Sequence, residues 1–596
     1  MENTHKFQVN LGGMIDILSN HLYDSKDVYI RELLQNATDA IRARKKIEVD
    51  FHGEIHVELS KNSESATIIF SDNGIGLTEE EVHRFLATIA NSSKGAKTFQ
   101  PEENDYIGRF GIGLLSCFIV SSEIVMITTS AKNGKTTEWL GNADGTYQVK
   151  ELESAGREPG TIVYLRALPE ILEEESCFEK RVLIETLEKY GAAIEIPIYM
   201  ENDVALNHWT KEFANKEQLF LKPKEEILLF GKQILNQEFR DYFFLENETG
   251  DTFGIAYIIP YTVQLSAQKA HTVFLNRMFV TSQMDVILPK WAFFTKAILF
   301  TTELQPVASR ESFYKNECLD RTAISLGEAL KEGLKGLSGH ALERIISTHY
   351  LAFKAISTED DELLRFIYPY LPFRTLNGEE TLETLMNQSK TIYYTHSVDD
   401  FRQIRDLARN RGLTLINGGY TYDAALLSRL ARLPELGIQL EALEPEQLTD
   451  DLMLPPAPFL QKSQALLAKI NEQMQEYEVE IEIRQFQPED LPMLFINPML
   501  TQTHKELERA AEESNPLFSD LLNHIKQDEV VPLTRLFLNY SNPLVQKLFT
   551  EDKSLDSLVA IFKMLYIQAL LLGHYPLKRK EMRLMNTNYL KILDML

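Results

Sequence analysis

The chain has 596 residues and a formal net charge of −26, because 87 acidic residues outnumber 61 basic ones. This length allows about four domains of roughly 150 residues, and the acidity argues against nucleic acid or an anionic membrane as a partner. The three cysteines form no C-x-x-C pair, so we expect neither a disulfide framework nor a zinc site, and a reducing, cytoplasmic setting is favoured.

An amphipathic helix is predicted near the start of the chain. Its apolar residues recur at helical spacing and predict one buried face; they are Ile30, Leu33, Leu34, Ala37 and Ile41. Glu32, Asn36 and Asp39 follow one another at spacings of four and three, so they share a second face. Asn36 can offer an oxygen to Mg²⁺, and Glu32 can orient or deprotonate a water molecule. For this helix alone, a simple solvated polar face is the better explanation of the pattern.

A short strand and a glycine-containing turn come next. The β-branched run from Ala66 to Ser71 predicts a strand that ends at Asp72. A carboxylate at this end can accept a hydrogen bond from an exocyclic amine. Gly74 and Gly76 would let the backbone turn sharply and approach a flat ligand closely. An ordinary Asp-Asn-Gly turn is the alternative for this segment alone.

A glycine cluster, Gly108 to Gly113, precedes an apolar run that begins at Leu114. This arrangement predicts a phosphate-binding loop that opens a buried helix. The chain has neither the P-loop pattern nor the dinucleotide fingerprint. Each of the three segments is weak alone, but their order and spacing within the first 115 residues favour nucleotide binding.

Together the segments resemble the three motifs of the GHKL ATPase superfamily, which gyrase, heat-shock protein 90, histidine kinases and MutL share. The match is closest to the bacterial, HtpG-type heat-shock protein 90 chaperones. This resemblance implies that Glu32 is the general base of ATP hydrolysis and that Asn36 binds Mg²⁺. It implies that Asp72 bonds the adenine amine, with Thr161 supporting it through water. Further nucleotide contacts are implied for Asp39, Gly74, Gly76, Leu77, Lys94, Gly108, Arg109, Phe110, Gly111, Ile112, Gly113 and Leu114.

The segment 85–94 resembles the lid of the same family. Asn91 stands where the family usually has a different, often charged, residue, and 92–106 is several residues shorter than usual. Lys94 or Lys97 could supply the charge instead. These departures bear on lid movement rather than on nucleotide binding.

Farther along, 274–280 and 304–311 resemble the family's middle domain. Arg310 stands where the family has an arginine that reaches the γ-phosphate, and such a group stabilises phosphate charge as it develops. Without the resemblance, Arg310 would be interpreted as a surface arginine. The neighbourhood departs from the family pattern, because Val307 replaces an asparagine and Tyr314 a glutamine.

The predicted fold class is α+β multidomain. The resemblance implies an N-terminal GHKL-type α/β sandwich (Bergerat fold), an α/β middle domain and an α-rich C-terminal dimerisation domain. The predicted domains are 1–215 for ATP binding, 216–455 for the middle domain, with two α/β pieces at about 227–345 and 376–450, and 456–596 for dimerisation.

Several local elements are also predicted. The polar, charged stretch 211–226 is predicted to be a short linker. Residues 391–416 are predicted to form a β-α-β unit. The last block should contain a helix at 462–476, a strand at 479–484 and helices near 543–549, 555–572 and 588–596. The apolar excess of 555–572 is either absorbed by the core of one chain or, as the resemblance implies, by a four-helix dimer interface.

The resemblance implies an ATP-dependent homodimeric chaperone that uses ATP and Mg²⁺, acts on client polypeptides in the cytoplasm, and binds neither nucleic acid nor membrane. A candidate client-binding patch is formed by Trp291, Phe293 and Phe294, for which core packing is the alternative. Three other functions stay open: a nucleotide-sensing scaffold with little hydrolysis, a DNA-repair or topoisomerase ATPase, and a histidine kinase.

Overall fold

A computed structural model describes residues 25–62, 65–86, 113–153, 156–172, 178–200, 204–263, 270–307, 309–337, 339–498, 533–551, 553–575 and 577–595. The chain divides into two units, Met1–Gly339 and His340–Leu596. Because both units combine sheets with helices, the predicted α+β class is confirmed.

The first unit begins with a seven-stranded sheet. Its strands are β1 (Ile55–Lys61), β2 (Ala66–Asp72), β3 (Glu123–Thr129), β4 (Thr136–Asn142), β5 (Tyr147–Leu152), β6 (Gly160–Arg166) and β7 (Ile198–Tyr199). They lie in the order β5-β4-β3-β6-β2-β1-β7. All neighbours pair antiparallel except β1 and β7, which are parallel. The order places β2, which ends at Asp72, next to β6, which begins at Gly160.

A second, five-stranded sheet completes this unit. Its strands are β8 (Tyr242–Glu246), β9 (Thr252–Ile258), β10 (His271–Leu275), β11 (Met278–Met284) and β12 (Thr295–Thr301). Their order is β11-β10-β12-β9-β8. The helices of the unit are α1 (Val28–Lys45), α2 (Glu79–Leu86), α3 (Pro169–Leu172), α4 (Lys180–Gly191), α5 (Lys216–Leu219), α6 (Lys224–Leu235) and α7 (Glu317–Lys335), with 3₁₀ turns at Gly113–Ile119, Thr210–Ala214 and Lys290–Ala292.

The long helix α1 packs against β2 and the Gly113–Ile119 turn. The predicted apolar stripe is buried along its whole length, with no member more than 3% exposed. Burial of this stripe fixes the rotation of the helix about its axis. The polar residues of the other face therefore have a set direction, away from the core that α1 shares with the sheet.

The stretch 211–226 is not a linker, so that prediction was wrong. Phe213 and Leu219 are fully buried and belong to the same apolar core as the first sheet and β9. The ring of Phe213 stacks on that of Phe230 with 4.0 Å between centroids. Lysines and glutamates dominate the composition of this stretch, but Phe213, Ala214 and Leu219 pack into the core, while Leu221 stays exposed.

The second unit has a five-stranded and a three-stranded sheet. The strands are β13 (Pro372–Thr375), β14 (Gly378–Thr381), β15 (Thr391–Thr395), β16 (Leu415–Asn417), β17 (Gln439–Ala442), β18 (Val479–Arg484), β19 (Met493–Ile496) and β20 (Thr534–Asn539). They are ordered β14-β13-β16-β15-β17 and β18-β20-β19. The helices among its described residues are α8 (Gly339–Ser357), α9 (Asp361–Ile367), α10 (Leu382–Gln388), α11 (Val398–Asn410), α12 (Asp423–Leu430), α13 (Pro445–Asp450), α14 (Ala457–Met474), α15 (Pro543–Thr550), α16 (Leu555–Leu572) and α17 (Arg579–Met595).

The predicted β-α-β unit is confirmed, because β15 and β16 are parallel and α11 connects them. Ser397 caps α11 by accepting a hydrogen bond from the Asp400 amide at 3.0 Å. The predicted helices at 543–549 and 555–572 are present. The last helix begins at Arg579, earlier than predicted, because charged residues dominate its first turns and hide its start.

The apolar helix α16 is largely covered within its own unit. Phe562, Tyr566 and Ile567 are at most 1% exposed, in the core that contains β18 and β20. Leu571 remains 51% exposed, and Leu544 of α15 remains 67% exposed. Core packing in one chain therefore absorbs most, but not all, of the apolar excess.

The prediction of a client-binding surface patch was wrong. Trp291, Phe293 and Phe294 are 8%, 4% and 0% exposed, so they form part of the core beside β12. In the described part of the chain, no helix combines the length and apolarity that crossing a membrane requires.

Candidate functional site

The polar face of α1 carries the predicted acidic and amide groups. Glu32 is 7% exposed, Asn36 is exposed and Asp39 is half-buried. The spacing of these residues on a regular helix places them along one side, as predicted. A buried carboxylate beside an exposed carboxamide suits a site where one group acts on a water molecule and the other meets a solvated ligand.

Asp72 is the last residue of β2, as predicted, and it lies opposite Thr161 of β6. The Thr161 hydroxyl is 3.1 Å from the hydroxyl of Thr128, which accepts a hydrogen bond from the Leu77 amide at 2.9 Å. The sheet thus brings Asp72, Thr161 and Leu77 together through Thr128. Thr128 was missed from the sequence; the signal available was a pair of threonines directly after the apolar run of β3.

Gly74 and Gly76 allow the turn after Asp72 to approach other backbone closely. A Cβ on Gly74 would lie 2.6 Å from the Ala40 Cβ of α1, and one on Gly76 would lie 2.0 Å from the Thr129 carbonyl oxygen. Gly76 also has a φ of +63°, which side chains disfavour. The turn is further fixed by a 3.1 Å hydrogen bond from the Ile75 amide to the Ala40 carbonyl. These contacts hold the Asp72 end of the sheet against α1.

Burial raises the pKa of Asp72 to about 7, and the hydrogen bond from the Gly74 amide, 2.8 Å long, opposes this shift only in part. No positive side chain contributes to the shift. A half-buried carboxyl group with its pKa raised in this way favours a ligand that donates a hydrogen bond to it.

The glycine cluster is only partly described. Gly113 and Leu114 begin the 3₁₀ turn, so the predicted buried helix is a shorter and tighter element. A Cβ on Gly113 would lie 2.6 Å from Glu32 Oε2, which places the end of the cluster directly at the predicted base. The other predicted members of this group, which lie outside the described residues, are Lys94, Gly108, Arg109, Phe110, Gly111 and Ile112.

Glu32 is paired with its neighbour Arg31, which is 2% exposed. Arg31 Nη2 lies 3.0 Å and Nε 3.2 Å from Glu32 Oε1. Arg31 also donates to the carbonyl oxygens of Ser309 and Arg310, at 3.0 and 3.3 Å. One buried guanidinium thus joins the predicted base to a loop 278 residues farther along the chain. Its role was missed, because nothing in the local pattern distinguishes Arg31 from a surface arginine.

Arg310 lies at the predicted base, with Nη1 4.0 Å from Glu32 Oε2. Its side chain is 12% exposed, so it is not a surface arginine. Its backbone has a φ of +56°, an uncommon conformation for an arginine and one that often marks a functional loop. Main-chain hydrogen bonds close the loop, from Val307 to Ser312 at 3.0 Å and from Tyr314 to Gln305 at 2.9 Å. Loop closure uses the main chain of Val307 and Tyr314, so their side-chain substitutions leave it intact.

The residues near Glu32 fit a nucleotide-bound Mg²⁺ better than a metal held by protein alone. Among the described residues, no group of three or more histidine, cysteine or acidic side chains could hold a metal ion. Asn36 offers one exposed amide oxygen. Mg²⁺ commonly keeps water and phosphate oxygens as most of its ligands, so a single protein oxygen is compatible with it.

A separate cleft of about 510 Å³ lies at the C-terminal end of α1, beside the turn between β10 and β11. Its lining includes the basic residues Arg42, Lys45, Lys46 and Arg277, and none of the site residues predicted from the sequence. The nucleotide-site prediction therefore depends on the contacts around Glu32 and Asp72, not on this cleft.

Comparisons with known proteins agree with this geometry. A family model described as histidine kinase-, DNA gyrase B- and HSP90-like ATPase matches residues 23–158, which contain both Glu32 and Asp72. The match implies a nucleotide-binding domain in this part of the chain.

Several curated relatives are named chaperone protein HtpG. The one from Sulfurovum sp. (strain NBC37-1) is 28% identical over 380 residues, which cover 57% of this chain and 60% of the relative. The one from Buchnera aphidicola subsp. Cinara cedri is 27% identical, covering 66% and 69%. The one from Helicobacter hepaticus is 23% identical, covering 94% and 95%. The matched region thus spans less than two thirds of the Sulfurovum protein, whereas the Helicobacter alignment runs nearly end to end. The chain is thus similar over nearly its whole length to a protein named chaperone protein HtpG, and residues 23–158 match the ATPase family model.

Proposed function

We propose that this protein is an ATP-driven, homodimeric molecular chaperone. The observation that carries the proposal is the group formed by Glu32, Arg31 and Arg310. A buried carboxylate on the ATPase helix meets an arginine from a loop next to the second sheet. This arrangement would make ATP hydrolysis depend on how the two parts of the unit are docked.

Nucleotide binding would use the strand end and the helix face together. Asp72 would accept the hydrogen bond of the adenine amine, and Thr161 would support it from β6. The half-buried side chains of Leu77 and Leu114 would pack on the adenine and ribose. Asn36, Asp39, Gly74, Gly76, Gly113 and the cluster from Gly108 to Ile112, with Lys94, complete the proposed contacts.

Hydrolysis would begin with a water molecule held by Glu32, which removes its proton as the oxygen attacks the γ-phosphorus. The bond between the γ-phosphorus and the β–γ bridging oxygen would break, and ADP would leave. Arg31 keeps the carboxylate of Glu32 oriented through two N–H groups on one oxygen, Oε1. The other oxygen, Oε2, faces both Gly113 and Arg310. Arg310 would stabilise the negative charge that grows on the phosphate oxygens.

We further propose that Mg²⁺ accompanies the nucleotide and that Asn36 supplies its protein ligand. The ion would supply charge neutralisation for the phosphates. The contribution of this chain is to present one amide oxygen on the same helix face as Glu32, one turn away.

The domain limits are proposed as predicted, with ATP binding in 1–215, a middle domain in 216–455 and dimerisation in 456–596. The protein would act in the cytoplasm on partly folded client polypeptides. Exposed apolar side chains in the last helices support a dimer contact there, since Leu544 and Leu571 are more than half exposed.

The test is ATP hydrolysis by the parent and by Glu32→Ala, with light scattering on the same samples. We expect the parent to hydrolyse ATP as a dimer, and Glu32→Ala to bind ADP normally while its rate falls roughly 10²–10⁴-fold. Normal hydrolysis by Glu32→Ala would remove Glu32 as the base. A parent that binds ATP without measurable turnover would instead support a nucleotide-sensing scaffold.

The dimer contact needs a surface substitution rather than a truncation. Removal of the chain from Glu551 onward would delete α16, which covers the core of β18 and β20. Leu544→Asp combined with Leu571→Asp should give a folded monomer that still binds ADP. Leu221→Asp, at a site that is 85% exposed in the first unit, is the matched control. A dimer of unchanged affinity in the double variant would refute the proposed contact.

A further inference from the structure

Gln35 is a buried polar residue of α1 that the predicted site does not include. Its side chain is 1% exposed. Its Oε1 accepts a hydrogen bond from Arg310 Nη1. The same Nη1 lies 4.0 Å from Glu32 Oε2, beyond hydrogen-bonding distance. Arg310 is therefore held next to the carboxylate, with its Nη1 hydrogen-bonded to a neutral amide.

The main chain and the side chain of Arg310 are fixed by different residues of α1. Arg31 holds the main chain by donating to the carbonyls of residues 309 and 310. Gln35 contacts the guanidinium at the far end of the side chain. An arginine side chain has many accessible rotamers, so fixing the backbone alone leaves its charged end undirected. A buried acceptor at the guanidinium removes much of this freedom.

The chemistry of the acceptor matters because Glu32 is so near. Opposite charges attract strongly in a buried site, and a direct Arg310–Glu32 pair would make the carboxylate a weaker base. A neutral amide binds the guanidinium without competing for protons at neutral pH. Tyr314, which stands where the resembled family has a glutamine, is 54% exposed. The carboxamide that contacts Arg310 in the structure is that of Gln35 in α1.

We propose that Gln35 is a positioning residue, which directs the Arg310 guanidinium toward the reacting phosphate and keeps it from closing on Glu32. The inference depends on the proposed ATPase function and assigns Gln35 to the same site. Gln35 acts through Arg310, so its loss should slow turnover and leave ADP affinity unchanged, because ADP lacks the γ-phosphate.

The primary variant is Gln35→Met, which keeps the length and burial of the side chain but removes the acceptor. We expect kcat for ATP hydrolysis to fall about tenfold, the scale of a lost hydrogen bond to a charged group, with KM and ADP affinity within about twofold of the parent. Gln35→Glu keeps an oxygen acceptor but replaces the neutral amide with a second carboxylate, so it should recover only part of this loss. Thr38→Val is the matched control: Thr38 is 2% exposed on the same helix, and its hydroxyl donates to the Leu34 carbonyl at 2.7 Å.

A double-mutant cycle with Arg310→Ala separates this inference from the proposed function. If Gln35 acts through Arg310, Gln35→Met should have no further effect in the Arg310→Ala background. If Arg310→Ala slows turnover but Gln35→Met does not, the proposed role of Gln35 is overturned and that of Arg310 stands. The same conclusion follows if the losses of the two single variants add in the double variant. Normal turnover by Arg310→Ala would overturn the proposed roles of both Gln35 and Arg310. In that case, loss of hydrolysis in Glu32→Ala would still support the proposed ATPase function. Circular dichroism and melting temperatures exclude misfolding as the cause.

Discussion

Two buried ion pairs, one in each unit, look alike until their surroundings are compared. In the second unit, Lys354 of α8 and Asp423 of α12 lie 2.6 Å apart, with side chains 4% and 2% exposed. In the first unit, Arg31 and Glu32 lie 3.0 Å apart, with side chains 2% and 9% exposed. Burial and charge alone would rank the two pairs equally as candidate sites.

The environment of the Lys354–Asp423 pair is closed. Lys354 Nζ also lies 4.3 Å from the centroid of the Phe373 ring, a favourable cation–π position. Burial raises the pKa of Asp423 to about 6, and Lys354 opposes this shift. Burial likewise lowers the pKa of Lys354, and Asp423 opposes that shift. Each charge thus has the other as its main compensation, which is the pattern of a structural pair.

The surroundings of the Arg31–Glu32 pair contain several features that point to a ligand. Beside it stand the exposed Asn36, the close approach of Gly113, and a loop whose Arg310 has a positive φ. The difference teaches that a buried ion pair identifies a functional site only when other features next to it point to a ligand. Each prediction below tests this distinction.

The largest expected effect is on the stability of the second unit. Lys354→Met removes one partner and leaves Asp423 as an uncompensated buried group, so the free energy of unfolding should fall by about 3–5 kcal/mol. Urea unfolding followed by circular dichroism measures this change. ATP turnover per folded molecule should stay at the parent value.

The double variant Lys354→Met with Asp423→Leu provides the control. It removes both charges and should recover most of the lost stability, because an apolar pair of similar volume replaces the ion pair. A turnover rate that falls in the double variant while the fold is intact would contradict a purely structural role for Lys354 and Asp423.

Arg310→Ala should lower the rate of ATP hydrolysis and leave stability nearly unchanged, the reverse of what is expected for Lys354→Met. Arg310 would contact the γ-phosphate and its developing charge, so hydrolysis should fall roughly 10²-fold, with ADP affinity unchanged. The unfolding free energy should change little, because Arg31 still binds the loop carbonyls. Steady-state ATPase assays and ADP calorimetry on one sample decide the matter. If stability falls sharply and turnover per folded molecule stays normal, Arg310 belongs with Lys354 as a structural residue.

Local pattern was sufficient to predict the elements that build the site. The spacing of Ile30, Leu33 and Ile41 gave the buried face of α1 and therefore the direction of Glu32. The β-branched run before Asp72 gave the strand, because alternation and composition act over a few neighbouring residues. The β-α-β unit at 391–416 was predicted for the same reason.

Contacts between distant segments could not be predicted in this way. The hydrogen bonds from Arg31 to the 309–310 carbonyls and from Arg310 to Gln35 join parts of the chain more than 270 residues apart. No periodicity encodes them, and only the resemblance suggested Arg310. The prediction of a client-binding patch at Trp291 was wrong for a related reason, because the burial of these side chains depends on which elements cover them.

The smallest expected effect concerns pH and tests whether Asp72 is a ligand-binding carboxyl group rather than a structural one. Burial raises its pKa from the ordinary value to about 7. An adenine amine that donates to the carboxylate stabilises the ionised form, so binding should lower this pKa and release a proton. The affinity for Mg·ADP should therefore rise about tenfold from pH 6 to pH 8 and level off above the raised pKa. Calorimetry in buffers of different ionisation enthalpy measures both the affinity and the proton release.

The same shift has a consequence for stability, with the opposite dependence on pH. Because the folded protein holds the Asp72 proton more tightly than the unfolded chain does, its stability falls as pH rises from the ordinary carboxyl pKa to about 7. Asp72→Asn should remove this loss and melt higher than the parent at pH 8, with a difference that shrinks toward pH 4, while failing to bind Mg·ADP. A structural carboxyl group would give the reverse, a destabilised variant with nucleotide affinity intact. That result would place Asp72 with Asp423 and withdraw it from the nucleotide site.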